Sequence, residues 1–299
     1  MLKPRIHVAI GLLFHQGQVL VGWRHADQHQ GNKYEFPGGK VESGETPAQA
    51  CRREIFEEVG IGIQTWHVFD VIHHVYDDLE LYLHIFHAQV PIKYLSDIQK
   101  PWTWYTREKL LQLNFPKANQ ALIQRLYWSH VIQISTDLTR LNRLAQDTLL
   151  YWRPEQGKVS IQDLQHFSDV QLKLLIINFE LWMQLDESFQ KKIGTVQFKQ
   201  HQILALHQGQ LPMGIRCIAS CHDAVSLQHA QHLGCDAVLL SPVHATASHP
   251  DAPVLGWERF QALAKSCDIP VFALGGLKPQ DLAQAQQYSA YGIAGIRNF

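Results

Sequence analysis

Three glutamates, Glu54, Glu57 and Glu58, lie within five positions of one another, directly after the arginines Arg52 and Arg53. In a helix these carboxylates occupy positions i, i+3 and i+4 and project from one face. Like charges at that spacing destabilise a helix by roughly 0.2–0.5 kcal/mol per pair, so a compensating cation is expected. Two interpretations follow: a solvated acidic face neutralised by the arginines, or a site for a divalent metal ion.

The residues around the glutamates predict a helix with defined ends. Thr46 is a good N-cap, Pro47 suits the first helical position, and Gln49 completes a capping box. Gly60 supplies the stop. Apolar residues at helical spacing form one stripe: Ala48, Cys51, Ile55 and Val59. The helix therefore has a buried side and an adjacent acidic side.

A glycine-rich loop, "FPGGKVESGE", precedes this helix. Its glycines Gly38, Gly39 and Gly44 permit positive φ and a close approach of the backbone to a ligand. Mg²⁺ takes a few carboxylate oxygens, keeps several waters and binds substrate phosphate oxygens. A glycine loop that leads into an acidic helix suits that combination, which favours a metal site facing a polyphosphate.

The segment from Gly39 through Glu45 to "REIFEEVGI" (53–61) resembles a complete Nudix box, with nine typed positions in fixed register. The reaction that the resemblance implies is hydrolysis of a nucleoside diphosphate linked to another group. In such a reaction the metal neutralises phosphate charge in the transition state and activates the attacking water.

The Nudix resemblance also implies a role for each side chain of the box. It makes Glu54, Glu57 and Glu58 the ligands of Mg²⁺, for which Mn²⁺ can substitute. Arg53 is implied to orient Glu57 through a charge pair, and Glu45 to support the loop and, as an alternative, the metal.

Beyond the box, "RHADQHQGNKYEFPGGKVESGETP" and "NFPKANQALIQRL" resemble the MutT-type 8-oxo-dGTP diphosphatases, over roughly residues 5–128. The resemblance implies that Asn119 reads the oxidised purine edge, because an amide offers both a donor and an acceptor. It also implies that Phe36 packs on the base and Arg24 contacts it, with Gly38 and Gly39 in the substrate loop. The alternatives are a helix cap for Asn119, core packing for Phe36 and a solvated hairpin end for Arg24.

One position departs from the subgroup, which usually carries a glutamate near Thr103 as a further metal ligand or general base. A threonine fills neither role as well. Glu45, or one of the acids of the hairpin turn (Asp77, Asp78 and Glu80), can substitute, and the sequence does not choose among them.

Composition limits the partners. The chain has 299 residues, 46% hydrophobic and 18% charged, which predicts a globular protein of two domains. A pI near 7 provides no basic field, so we expect a free nucleotide as ligand and no stable nucleic-acid binding. The sequence has no apolar core of a signal peptide and no stretch as long as a membrane span, so no membrane association is expected.

The five cysteines are sparse and odd in number, which predicts reduced thiols and a cytoplasmic location. Cys217, Cys221 and His222 can be read as part of a zinc site. No second ligand cluster accompanies them in the sequence, so we expect buried thiols instead.

The order and spacing of the apolar segments along the sequence predict an α/β chain of two domains. Residues 1–128 combine a β-hairpin, the acidic helix, two more strands and a closing helix, and the Nudix resemblance implies an α/β/α sandwich with a mixed sheet. Residues 130–299 contain eight apolar strands that mostly alternate with helices, which predicts a parallel (β/α)8 TIM barrel. Because so few residues are available, some helices must be short, most of all after "TVQF".

The second domain, 130–299, resembles thiamine phosphate synthase and its TenI relatives, in "LLIINFELW", "DAVLLSPVHATASHP" and "IPVFALGGLKPQDL". The resemblance implies ligand or phosphate contacts from seven residues: Arg153, Asn178, Thr246, Ser248, His249, Gly275 and Gly276. The glycine pair is alternatively a tight strand-to-helix turn. The two aspartates that hold Mg²⁺ in the synthase are Phe179 and Gln202 here, so we expect a phosphate-ligand binding domain or a degenerate scaffold without synthase activity.

Three functions are compatible with the sequence. The leading one is an Mg²⁺-dependent diphosphatase that cleaves 8-oxo-dGTP to 8-oxo-dGMP and pyrophosphate. A second is a hydrolase of a thiamine-pathway diphosphate, which the fused barrel suggests. The third is a regulatory protein that senses a nucleotide and a phosphate. The intact set of Arg53 and the three glutamates favours an enzyme, and Thr103 is the one feature that favours a sensor.

Overall fold

The structure is a computed structural model, and the residues described are 3–24, 26, 31–155, 161–246, 253–296 and 299. The chain divides into two compact units, Met1–Tyr127 and Trp128–Phe299. The first contains a mixed sheet and the second a closed barrel of eight parallel strands, so the predicted fold class is confirmed. Among the helices of the described residues, none combines the length and the apolar composition that a membrane span requires.

The sheet of the first unit is mixed because its central strand has both parallel and antiparallel neighbours. Its strands are β1 (Arg5–His15), β2 (Gln18–Arg24), β3 (Lys33–Glu35), β4 (Gly38–Lys40), β5 (His67–Val75), β6 (Glu80–Gln89) and β7 (Thr103–Tyr105). The main order is β3-β2-β1-β6-β5, with β4 paired to β1 and β7 to β2. β1 runs parallel to β6 and antiparallel to β2 and β4.

Helices cover both faces of this sheet. They are α1 (Pro47–Val59), α2 (Arg107–Leu110) and α3 (Gln120–Leu126), with 3₁₀ turns at Ile92–Tyr94 and Lys117–Asn119. Because side chains alternate along β1, Ala9 and Leu13 pack in one core with Ile55 of α1. Leu12 packs in another core with Leu122 of α3. The acidic helix and the helix that follows Asn119 therefore lie on opposite faces of the sheet.

Helix α1 forms as its sequence predicts. Thr46 is the N-cap, Gln49 completes the capping box, and Gly60 ends the helix in the left-handed region at φ 81°. Cys51, Ile55 and Val59 are buried, together with Ala50, and Ala48 is partly buried beside them. The apolar stripe fixes which side of α1 faces the sheet, and so where its glutamates project.

The barrel strands correspond to the eight apolar segments. They are β8 (Val131–Ser135), β9 (Thr148–Trp152), β10 (Leu175–Asn178), β11 (Thr195–Phe198), β12 (Arg216–Cys221), β13 (Ala237–Leu240), β14 (Val271–Leu274) and β15 (Gly292–Gly295). They pair in the closed order β10-β11-β12-β13-β14-β15-β8-β9. Apolar side chains fill the interior, so the barrel is a packed core.

The outer helices of the barrel are unequal. They are α4 (Asp169–Leu172), α5 (Phe179–Trp182), α6 (Glu187–Gln190), α7 (Gln200–Ala205), α8 (Ala224–Leu233), α9 (Gly256–Ala264) and α10 (Leu282–Gln287), with 3₁₀ turns at Leu138–Arg143, Ile161–His166 and Pro279–Asp281. The helix after "TVQF" has six residues, whereas α4, α5 and α6 have four each. The shortening therefore lies mostly before "TVQF", and the expectation that placed it after that strand was wrong.

Candidate active site

The guanidinium of Arg53 joins the glycine loop to the acidic helix. Its Nη2 donates to Glu45 Oε1 at 2.7 Å and to the Lys40 carbonyl at 3.1 Å. Its Nη1 donates to Glu54 Oε1 at 2.8 Å and to Glu57 Oε2 at 3.2 Å. The hydrogen bond from Arg53 holds the pKa of Glu45 below its ordinary value. One side chain thus orients two of the three predicted ligands and ties them to the loop.

Two glycines let the loop approach the carboxylates closely. Gly38 donates its N–H to Glu58 Oε2 at 2.9 Å and adopts φ 145°, where a side chain would collide with the main chain of Ala9. A methyl group at Gly39 would collide with the carboxylate of Glu54. The loop can therefore lie this close to α1 only because both positions are glycine and have no side chain.

The carboxylate of Glu58 lies in a crowded, negative environment. Desolvation raises the pKa of Glu58 to about 7, and repulsion from Glu35 and Glu54 raises it further. The hydrogen bond from Gly38 and the charge of Arg24 lower the pKa, and part of the side chain stays exposed to solvent. A bound cation relieves repulsion among carboxylates of this kind. The donor set, all carboxylate oxygens, is the kind that Mg²⁺ prefers. The residues therefore fit a hard divalent ion.

No closed metal cage is formed by the side chains themselves. Within the described ranges, no three His, Cys, Asp or Glu side chains already converge on one point. In phosphoryl-transfer enzymes, Mg²⁺ is bound by one or two carboxylates together with waters and substrate phosphates. The Arg53-linked glutamates and the glycine loop offer that partial set of ligands.

Arg24 is not a solvated hairpin end, because it forms an ion pair with Glu35. Its Nε lies 2.7 Å and its Nη2 2.5 Å from Glu35 Oε2, and both side chains are partly buried. Both residues act electrostatically on Glu58, which places them near the carboxylates of α1. Sequence reasoning missed Glu35, because only the short β2–β3 pairing brings it beside Arg24.

Phe36 and Asn119 are both buried on the α3 side of the sheet. Phe36 is 4% exposed and stacks on Phe115 with ring centroids 4.9 Å apart, as the core-packing alternative expects. Asn119 is 7% exposed, and its side chain makes no capping hydrogen bond, so the helix-cap alternative is wrong. The Tyr34 N–H donates to the Asn114 carbonyl at 2.9 Å, which anchors the loop before Asn119 to β3.

The possible replacements for the missing glutamate are only partly free. Thr103 is exposed at the start of β7, opposite Val21 of β2. Glu80 already accepts from Tyr82 Oη at 3.3 Å and pairs with Arg5 at 3.4 Å. Of the acids named from the sequence, Glu80 is therefore already engaged in a hydrogen bond and an ion pair.

The described barrel candidates lie at the carboxyl ends of strands, the end at which barrels of this class place their sites. Arg153 follows β9, Asn178 ends β10, Thr246 follows β13, and Gly275 and Gly276 follow β14. Since β9 neighbours β10 and β13 neighbours β14, the structure brings these residues together as two groups on opposite sides of the barrel. Ser248 and His249 lie outside the described residues.

The glycine pair is packed tightly against the loop after β13. Gly275 and Gly276 adopt φ 111° and 70°, in the region that favours glycine. The His244 N–H donates to the Gly275 carbonyl at 3.2 Å, and a Cβ at Gly276 would lie 2.8 Å from His244 Cβ. Both residues must be glycine for this turn, whether or not a phosphate also binds there.

The synthase's metal positions are occupied by residues with other tasks. Phe179 stacks on Phe198 at 4.7 Å, within the core outside the barrel. The Gln202 side chain accepts from the Lys199 N–H at 2.8 Å and so caps α7. These residues do not fit the Mg²⁺ of a diphosphate-displacing synthase.

His222 directly follows β12, and the sequence predicted a role for it only as part of a zinc site. Its Nδ1 lies 2.8 Å from the Ser241 carbonyl, and a carbonyl only accepts, so Nδ1 donates. The neutral ring therefore keeps its lone pair on Nε2, at the carboxyl end of the barrel. Cys217 and Cys221 are fully buried, as expected, and the described residues contain no zinc cluster. A histidine directly after an apolar strand was the signal that could have found this residue.

Comparison with known proteins matches two different families to two parts of the chain. The family model of the NUDIX domain matches residues 9–125, and that of thiamine monophosphate synthase matches residues 193–299. The chain is 34% identical over 125 residues to the 8-oxo-dGTP diphosphatase of Escherichia coli, which is 41% of this chain and 96% of that protein. It is 32% identical over 127 residues to the 8-oxo-dGTP diphosphatase of Haemophilus influenzae, 42% of this chain and 93% of that protein.

The barrel has its own relative. It is 38% identical over 80 residues to the putative thiamine-phosphate synthase 2 of Aquifex aeolicus, which is 27% of this chain. The match spans only 43% of that protein, less than half its length. Because a relative that is 34% identical is covered over 96% of its length, the chain belongs to the MutT-type Nudix family as a pyrophosphohydrolase, and its residues 193–299 match the family model of thiamine monophosphate synthase.

Proposed function

We propose that the N-terminal unit is an Mg²⁺-dependent diphosphatase that hydrolyses 8-oxo-dGTP to 8-oxo-dGMP and pyrophosphate, and so removes an oxidised nucleotide before DNA replication uses it. The observation that carries the proposal is the Arg53-linked group of carboxylates facing Gly38 and Gly39. The likeness to two 8-oxo-dGTP diphosphatases, over nearly their whole length, supports the choice of substrate.

In this proposal each side chain of the box has a defined task. Glu54, Glu57 and Glu58 hold Mg²⁺, or Mn²⁺ in its place, and the bound ion supplies charge neutralisation and an activated water. Arg53 keeps two of these carboxylates in place through its hydrogen bonds. Glu45 anchors Arg53 and closes the loop by accepting the Glu42 N–H at 2.8 Å. These groups are positioned before substrate arrives, so little reorganisation is needed during reaction.

Selection of the oxidised base is assigned to Asn119. Its side chain is buried and makes no capping hydrogen bond to α3, so the amide is available to pair with a purine edge on which N7 has become a donor. A site built to pair with such an edge rejects the base that leaves its polar groups unpaired.

Replacing Asn119 with alanine is expected to remove the preference for 8-oxo-dGTP, a loss of about tenfold or more in the ratio of kcat/KM values, while dGTP hydrolysis is retained. Steady-state kinetics on both nucleotides measure the ratio. Asn114→Ala is the control, since this amide on the same loop is exposed and makes one long hydrogen bond within the described residues, to the Asn32 carbonyl at 3.4 Å. An unchanged ratio in Asn119→Ala contradicts the assignment.

The proposal as a whole is tested by pyrophosphate release with Mg²⁺ from 8-oxo-dGTP, dGTP and thiamine diphosphate. We expect kcat/KM for 8-oxo-dGTP to exceed that for dGTP by about tenfold or more. Equal rates on the two nucleotides remove the sanitising role. Faster hydrolysis of thiamine diphosphate supports a thiamine-pathway substrate, and no hydrolysis of any of them supports a nucleotide sensor.

For the barrel we propose a phosphate-ester ligand bound without metal, and no synthase activity. Phe179 and Gln202, packed and capping as described, leave no carboxylate where the synthase needs two. The glycine turn after β14 offers main-chain groups at the carboxyl end, where barrels of this class bind phosphate. His222, with Nδ1 held by Ser241, supplies an acid–base group at the same end of the barrel.

Binding of thiamine monophosphate to the full chain is expected to be the same with and without EDTA, because no metal takes part. Gly276→Ala is expected to weaken it about tenfold, since a Cβ there meets His244 and distorts the turn. Isothermal titration calorimetry measures both effects. Binding that disappears with EDTA contradicts the metal-free site.

A further inference from the structure

A buried ion pair joins α3 to β5, the strand at the end of the sheet. Arg125 Nη1 lies 2.6 Å from Asp70 Oδ2, and the two side chains are only 10% and 7% exposed. The guanidinium also lies over the Phe69 ring, with 4.2 Å between Cζ and the ring centroid. Neither charged residue belongs to the carboxylate group of α1, and the proposed hydrolysis uses neither of them.

Stability alone does not account for this pair. Two charges that leave water lose hydration, and their attraction offsets that loss only in good geometry. Apolar side chains of similar volume in the same place are often equally stable or more so. The ion pair is directional, unlike an apolar contact, because a charge-assisted hydrogen bond fixes the relative positions of donor and acceptor.

The apolar contacts of α3 are not directional. Leu122, Ile123 and Leu126 bury its apolar side, and hydrophobic burial tolerates small shifts along or about the helix axis. Arg107 Nη1 reaches the Leu126 carbonyl, but at 3.4 Å this is a long hydrogen bond. The pair between Arg125 and Asp70, at 2.6 Å, is therefore a short directional contact that fixes the register of α3 against β5.

Asn119 moves with this helix. The 3₁₀ turn Lys117–Asn119 runs directly into α3, and the Asn119 N–H donates to the Pro116 carbonyl at 3.0 Å. Asn119 and Arg125 are six positions apart, about 9 Å along a helix. A shift at Arg125 is thus carried to the Asn119 amide, whose side chain makes no capping bond that would hold it independently.

We propose that Arg125 and Asp70 are positioning residues for recognition of the oxidised purine, because they hold α3 in the register that presents the Asn119 amide to the base. This inference rests on the proposed function of the N-terminal unit. It makes base selection depend on a contact at the far end of α3, on the opposite sheet face from the Mg²⁺-binding carboxylates.

The test is a double variant that combines Arg125→Met with Asp70→Asn. It removes both charges, and the amide oxygen at position 70 can still accept the Val71 N–H that Asp70 Oδ1 accepts at 2.8 Å. We measure kcat and KM on 8-oxo-dGTP and dGTP with the full chain at saturating Mg²⁺. The kcat/KM ratio is expected to fall about tenfold, mainly through a higher KM for 8-oxo-dGTP, while kcat on dGTP stays within about threefold.

Two further variants separate positioning from stability. Arg125→Lys keeps the charge but not the geometry of the guanidinium, so the kcat/KM ratio is expected to fall by only about threefold. This variant tests the inference if the double variant does not fold. Ile123→Val loosens the same helix without touching a directional contact and is expected to leave the ratio unchanged.

The possible results separate failure of this inference from failure of the proposed 8-oxo-dGTP hydrolysis. A double variant, or Arg125→Lys if only that variant folds, that keeps the wild-type ratio overturns the positioning role. An Ile123→Val variant that loses the ratio equally shows that loosening alone is responsible, and overturns it too. A wild-type chain with no preference for 8-oxo-dGTP overturns the proposed function itself, and this inference with it.

Discussion

Replacing Glu57 with glutamine is expected to lower kcat on 8-oxo-dGTP about 10³-fold, with KM changed far less. The amide keeps the size of the side chain and removes the negative charge that pairs with Arg53 at 3.2 Å and that we propose binds the metal. Because the metal has to stabilise charge that develops in the transition state, the loss falls on kcat. Pyrophosphate release at saturating Mg²⁺ measures it.

Glu187→Gln is the matched control for Glu57→Gln. Glu187 is also an exposed helical glutamate in an i,i+4 pair, with Lys191 at 2.6 Å, but it lies in the barrel. Its replacement is expected to leave kcat unchanged. A loss below about tenfold in Glu57→Gln means that Glu57 does not hold the metal through the transition state.

Replacing Gly39 with alanine is expected to lower kcat about 10²-fold while the fold is kept. The added methyl group collides with the end of the Glu54 side chain, which is flexible and can swing away. The variant thereby displaces one carboxylate without changing its chemistry. It separates the position of the ligand from its charge, which Glu57→Gln does not do.

Gly62→Ala is the control for Gly39→Ala, because no heavy atom lies within 4 Å of a Cβ at Gly62. Thermal unfolding of the two variants is expected to differ by no more than about 5 °C. If Gly39→Ala retains wild-type kcat, the close approach of Glu54 to the loop is not needed for catalysis. If Gly39→Ala unfolds at a much lower temperature, the glycine serves the fold and not the ligand.

The parts of the site that follow from local sequence could be predicted. Thr46, Gln49 and Gly60 define α1 by short-range hydrogen bonds and one left-handed residue, and its apolar stripe decides which side faces the sheet. The barrel strands could be predicted for a similar reason, since each is a short and mainly apolar segment.

The parts that depend on pairing between distant segments could not be predicted. Strands β3, β4 and β7 have three residues each, too few for an alternating pattern to show. Glu35 reaches Arg24 only through the β2–β3 register, and Asp70 reaches Arg125 across 55 positions. These ion pairs join segments that are far apart in the sequence, and the residues next to them in the sequence give no pattern that predicts them.

The central claim is that Glu54, Glu57 and Glu58 bind a divalent ion that faces the phosphates of a nucleotide. Mn²⁺ soaked into crystals with a non-hydrolysable 8-oxo-dGTP analogue gives an anomalous signal that locates the ion. The account predicts a peak coordinated by carboxylate oxygens of these glutamates and by phosphate oxygens of the nucleotide. A nucleotide bound with its phosphates elsewhere, and no peak at these carboxylates, contradicts it.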